Sequence, residues 1–135
     1  MTSIRFGNDS GYVKITLPTS YSVDGWAQAD VEIAVPGFQG WLSAWVDAAD
    51  FDIFASQLRV LYESLEGKAE FRPMEEQFVL LLEAGKLGHV EVSGEAWSFA
   101  TYGSKLEFEF ELDQSYLMQP LSDLERLQAT VKSLP

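Results

Sequence analysis

The chain has no cysteine, which excludes a disulfide framework and a thiolate metal site. It has one histidine, His89, so the usual zinc sets are out of reach unless carboxylates dominate. Positive charge is scarce. Lys and Arg number 9 against 21 Asp and Glu, for a formal net charge of −12. That balance disfavours phosphate backbones and anionic membranes as partners and favours basic surfaces. No apolar run reaches membrane-spanning length; the densest is "FVLLLEAG". The start, "MTSIRFGNDS", lacks the basic and apolar segments of a signal peptide, so a cytoplasmic protein is expected. There is no Gly-rich phosphate loop and no G-x-S-x-G elbow. No linker or low-complexity stretch divides the 135 residues, and we expect a single domain over 1–135.

What is present reads as a globular chain, with 47% apolar and 22% charged residues. "SIRF" and "YVKITL" flank the turn-rich "GNDSG", which predicts a hairpin over 3–17. "WAQADVEIAV" alternates, with Val31, Ile33 and Val35 on one face and Asp30, Glu32 and Ala34 on the other. "PG" at 36–37 marks a turn into "FQGWLSAWV". The period then changes. Phe51, Phe54, Leu58, Leu61, Tyr62 and Leu65 recur at helical spacing, behind Asp47, Asp50 and Asp52 at a start that favours acids. This predicts a helix over about 48–65, closed by Gly67 as its C′ residue. Strands follow in "KAEFR", "EQFVLLLEA" and "GHVEVSGEAWSFA", with Gly94 marking a bulge. Leu117, Leu121, Leu124, Leu127, Val131 and Leu134 predict a second helix over about 118–134, with Pro120 tolerable only near its start.

A weak echo runs at an offset of 66 residues, pairing Phe51, Leu58, Leu61 and Leu65 with Leu117, Leu124, Leu127 and Val131. The expected fold is α+β, with antiparallel sheets of about eight strands and two amphipathic helices.

No catalytic signature stands out. His89 at a strand start reads as structural before catalytic. With 21 acids some carboxylate pairs must fall close by chance, and Glu75 and Glu76 read as solvent-exposed. "NDSG" and "DAADFD" are oxygen-rich but miss the calcium-loop pattern, and capping is the simpler use. Trp26, Trp41, Trp45 and Trp97 all lie on predicted strands. The expectation is that the rings pack between sheet and helix, the alternative being one ring exposed in a partner- or sugar-binding surface.

The sharpest feature is "KLEFEFELDQ". On a strand, Leu106, Phe108, Phe110 and Leu112 point one way and Glu107, Glu109 and Glu111 the other. Same-face neighbours lie about 6.7 Å apart, where repulsion in water is about 0.6 kcal/mol per pair. Burying each large apolar partner contributes roughly 1.5–3 kcal/mol, so the fold carries the ladder as an ordinary wet face. Against that, no lysine is interspersed. If its strand adjoined those bearing Asp30, Glu32 and Glu91, the carboxylates would merge into one negative surface able to steer a basic protein.

Three pieces, "L-x-x-L-Y-x-x-L-x-G-x-A-x-F" from Leu58, "G-H-V-x-V-x-G" from Gly88 and "F-x-F-x-x-D-Q-S-Y-L" from Phe108, make the chain from about residue 26 onward resemble the WapI-like immunity proteins, encoded beside polymorphic toxins of bacteria. The resemblance implies a non-enzymatic inhibitor, needing no cofactor, that blocks a cognate toxin by tight binding. Many such toxins are nucleases with basic active sites. It transfers no functional residue, and Gly88, His89, Asp113, Gln114 and Tyr116 in the shared pieces read as fold residues. From charge alone, Glu107, Glu109, Glu111, Asp30, Glu32 and Glu91 are the expected partner surface, with Trp26 as an aromatic anchor. The competing readings are a small ligand- or carbohydrate-binding module using exposed tryptophans and a carboxylate-based hydrolase.

Overall fold

The structure, a computed structural model, describes residues 2–17, 25–100 and 102–132. β1 (Thr2–Asn8) and β2 (Gly11–Leu17) form the expected hairpin. Its turn is held by Asn8, whose Oδ1 accepts from the backbone N–H of Ser10 at 2.8 Å and of Gly11 at 3.3 Å. β3 (Trp26–Val35) and β4 (Phe38–Asp47) are joined at Pro36-Gly37, where Gly37 takes φ 85. α1 (Ala48–Ser64) starts in a capping box. Asp47 accepts from the Ala49 N–H at 2.9 Å, and Asp50 accepts from the Asp47 N–H at 3.2 Å. Asp47 and Asp50 of "DAADFD" are thus caps, while Asp52 accepts from the Gln128 side-chain amide on the second helix at 2.7 Å.

The helix ends sooner than Gly67 implied. Leu65 takes the left-handed position at φ 57 and donates its N–H to Leu61. The Ser64 hydroxyl donates to the Val60 carbonyl at 2.7 Å and accepts from the Glu66 N–H at 3.2 Å, so the chain has left the helix before the glycine.

The second half repeats the plan. β5 (Lys68–Phe71), β6 (Phe78–Ala84), β7 (His89–Phe99) and β8 (Tyr102–Asp113) lead through a 3-10 turn (Gln114–Leu117) into α2 (Met118–Lys132). Pro120 sits in the first turn of α2, where its missing N–H costs no helical bond. Leu134 lies outside the described residues. Each half makes one four-stranded antiparallel sheet in chain order, β1-β2-β3-β4 and β5-β6-β7-β8.

The 66-residue echo is therefore a repeat in three dimensions. Asp113 caps the second helical segment as Asp47 caps the first, accepting from the Ser115 N–H at 3.0 Å. Arg59 on α1 pairs with Glu125 on α2, 66 residues on, with Nε donating to Oε2 at 3.1 Å. Gly40 on β4 lies against Leu106 on β8, at the same offset. Two residues that touch their own equivalents mark an approximate twofold axis between the halves.

The core fills the space between the sheets. Ile4, Phe6, Val13, Ile15, Val31, Ile33 and Leu42 come from the first sheet, and Phe71, Phe78, Leu80, Leu82, Val92 and Leu112 from the second. α1 adds Phe51, Phe54, Leu58 and Leu61, and α2 adds Leu121, Leu124 and Leu127. A file of rings ties these layers together. Phe6 meets Phe54 edge-on at 5.7 Å, Phe54 meets Phe71 at 5.8 Å, and Phe71 meets Phe78 at 6.3 Å.

Gly94 is not a bulge. It pairs in register with Leu80 and Phe108, and the irregularity falls at Trp97–Phe99. A glycine is required because the Phe108 ring lies over it. A Cβ there would stand 2.6 Å from Phe108 Cζ and 2.4 Å from the Val79 carbonyl oxygen.

Candidate partner-binding surface

The outer face of the second sheet carries the ladder. Glu107, Glu109 and Glu111 are all exposed, while Phe108 and Leu112 point into the core. β7 lies beside β8, so Glu91 stands directly opposite Glu111, and Glu95 opposite Glu107. On its other side Glu91 faces Glu83. Three glutamates therefore cross the sheet in one row, Glu83, Glu91 and Glu111, on adjacent strands. Directly opposed side chains have Cβ atoms about 5 Å apart, where like charges repel by about 0.8 kcal/mol even in water.

Among the described residues, the cations near this face sit at its margins. Lys68 faces Glu83 in register. Arg72 pairs with Glu70 at 3.2 Å and holds its carboxyl below the ordinary range. Lys105 lies 2.7 Å from Glu107 and 3.6 Å from Glu95, and the hydrogen bond to Glu107 leads in raising its pKa. His89 Nδ1 approaches Glu111 Oε1 at 2.8 Å. Among the described residues no ion pair reaches Glu83, Glu91 or Glu109. Between the acid rims runs an open trough of about 490 Å³, lined by Val79, Leu81, Ser93, Glu95, Glu107 and Glu109 among others.

Asp30 and Glu32 do not join this surface. They project from β3, which belongs to the first sheet, so the condition for merging with the ladder, strands adjoining in one sheet, is not met. There they have local partners. Asp30 accepts from the Ser43 hydroxyl at 2.7 Å, and Glu32 accepts from the Tyr12 hydroxyl at 3.2 Å with Lys14 opposite it. Arg5 lies over the Tyr12 ring at 4.5 Å. The first sheet's outer face is mixed in charge, not acidic.

The tryptophans also depart from expectation. Trp41 is 73% exposed and Trp45 48%, rather than packed between sheet and helix. Trp26 and Trp97 are half-buried. The short β3–β4 turn held the signal that reveals this. A two-residue loop sets Val35 opposite Phe38, and so Val31 opposite Leu42 and Glu32 opposite Trp41. Opposed residues share a face, so burying Val31 and Ile33 sends Leu42, Ala44 and Val46 inward and both rings outward.

The remaining candidates have structural work. Burial pushes the Asp50 carboxyl up, against its hydrogen bond from the Asp47 backbone in the capping box. Glu75 and Glu76 lie exposed in the β5–β6 connection, where Glu76 takes φ 53. Among the described residues no group of three or more histidines and carboxylates is placed to hold a metal ion. No helix among them is long and apolar enough to cross a membrane.

Comparison with known proteins fits this architecture. No curated protein matches the chain. Among solved structures, the chain is similar to MRP1/MRP2 of Trypanosoma brucei, at 10% identity and a TM-score of 0.52, over 92% of this chain and 80% of that one. That likeness shows the fold alone. A CdiA-CT/CdiI toxin and immunity complex from Enterobacter cloacae also aligns, at 9% identity and a TM-score of 0.46, over 93% of this chain and 99% of the other. The family comparison is decisive: the immunity protein WapI-like family matches residues 4–130, nearly the whole chain, and the protein belongs to that family.

Proposed function

We propose that this protein is a non-enzymatic immunity protein that neutralises a cognate bacterial toxin domain by occlusion, and that the outer face of β6–β8 meets a basic surface on that toxin. Family membership supports the immunity role. The observation that carries the choice of surface is the row Glu83, Glu91 and Glu111, three carboxylates in direct cross-strand register. A row of that kind weakens the folded chain and rewards a partner that supplies cations. The fields of the neighbouring Glu107 and Glu109 add to it, so encounter is steered by charge and falls with salt.

The test is co-expression with the toxin domain encoded beside this gene. Growth is restored and the two chains co-purify; continued arrest with no complex rejects the reading. The exposed Trp41 and Trp45 favour a second reading, a module that stacks sugar rings. It predicts that oligosaccharides raise the Tm of the free protein.

A further inference from the structure

The acid row explains attraction but supplies no anchor. Tight protein complexes hold through a few large apolar or aromatic contacts near the centre of the interface, with charge governing approach. Where the two sheets meet, β4 runs past β7 and β8, and a hollow of about 190 Å³ opens at the approximate twofold axis. Its lining includes Trp41 from the first sheet and Trp97, Lys105 and Leu106 from the second. Gly40 forms part of its wall, and Leu106 fills the space a side chain at Gly40 would need.

Two features indicate what fits here. First, the hollow has a large open ring on its wall, since Trp41 is 73% exposed. An exposed ring beside an open hollow is the kind of surface that marks an interaction site. Second, the hollow opens onto the acid face. The Lys105 ammonium lies 5.3 Å from the Trp97 ring centroid while pairing with Glu107 and Glu95. One corner of the hollow thus already holds a cation between an aromatic face and two carboxylates. Glu109 follows on the same strand face, and among the described residues no ion pair reaches it.

We propose that this seam is the anchoring point of the toxin interface, and that its occupant is an aromatic or leucine-sized side chain on a lysine- or arginine-rich segment of the toxin domain. The apolar side chain enters beside Trp41 and Trp97, and the flanking cations lie along Glu107, Glu109 and Glu111. The inference rests on the immunity reading above and moves the anchor from Trp26. Trp26 stands at the opposite end of the β3–β4 hairpin, facing Asp47.

The test is calorimetric titration of the neighbouring toxin domain, in a catalytically inactive form, into the full-length protein and its Trp41→Ala and Trp26→Ala variants. Trp41 is exposed, so its removal leaves the Tm unchanged and any loss of affinity belongs to the interface. Trp41→Ala weakens Kd by about 30-fold, the scale of a hot-spot residue, with the salt dependence retained, whereas Trp26→Ala changes it by less than about threefold. A loss of less than about tenfold for Trp41→Ala, with Glu109→Lys still weakening the wild-type complex, overturns the anchor and leaves the acidic interface standing. No complex with the wild-type protein overturns both.

Discussion

The two sheets are built alike and present opposite surfaces. In the first, Glu32 faces Trp41, Asp30 faces Ser43 and Gln28 faces Trp45. In the second, the equivalent pairs are Glu95 with Glu107, Ser93 with Glu109 and Glu91 with Glu111. The positions that carry Trp, Ser and Trp on β4 thus carry three glutamates on β8. Since the backbone frame is the same, the fold does not dictate the ladder, and the first sheet shows a neutral or mixed face is compatible with it. The cores were adjusted along with the surfaces. Val31 faces Leu42 in one half, and Gly94 faces Phe108 in the other, so a larger ring is accommodated by removing the side chain across from it.

Three sets of variants break or sharpen this comparison. The largest effect comes from giving the second sheet the first sheet's core residue. Gly94→Val drives Cβ into Phe108 and the Val79 carbonyl and costs about 3 kcal/mol, seen as a lower midpoint in urea with an unchanged m-value. A midpoint within experimental error of wild type would mean the ring moves aside freely.

The two helix caps come next. Asp47→Ala removes a full capping box and costs about 1–2 kcal/mol. Asp113→Ala lowers the Tm less, because it caps only a 3-10 turn. Hydrogen bonds from the Ser115 hydroxyl and N–H, with a smaller contribution from His89, hold the Asp113 carboxyl below its ordinary value. A depressed folded pKa gives stability that is present above the unfolded value and is lost as pH falls through the folded one. The Tm difference between wild type and Asp113→Asn therefore closes below about pH 4. A difference that persists unchanged into stronger acid contradicts this.

The smallest effect has the opposite sign. Glu91→Gln installs the residue that Gln28 represents in the first sheet and relieves repulsion from both Glu83 and Glu111. It raises stability by about 0.5–1 kcal/mol at low salt, and the gain shrinks in 0.5 M salt. Destabilisation would show that the row is compensated within the protein.

Much of the fold was legible because it rests on local periodicity. Alternation at Val31 and Ile33 and along Leu106 to Leu112 defined strands, and the spacing from Phe51 to Leu61 together with Asp47 defined α1 and its start. The assignment of strands to sheets was not legible. Asp30, Glu32 and Glu91 look equivalent as alternating acids, yet only long-range pairing places Glu91 beside Glu111 and leaves the other two with Tyr12 and Ser43. Trp41 misled for another reason. Ring size argued for burial, while the register fixed by Pro36-Gly37 gave the narrow space beside Ala29 and Ala27 to Ala44 and Val46.

The most direct test of an acid-steered interface is the association rate with the toxin domain, measured by stopped flow from low to physiological salt. For the wild type, the rate falls steeply with ionic strength. Replacing Glu107, Glu109 and Glu111 by lysine lowers the low-salt rate by at least about tenfold and flattens its salt dependence, while the protein stays folded at the assay temperature. A rate that ignores both salt and charge reversal would contradict the account.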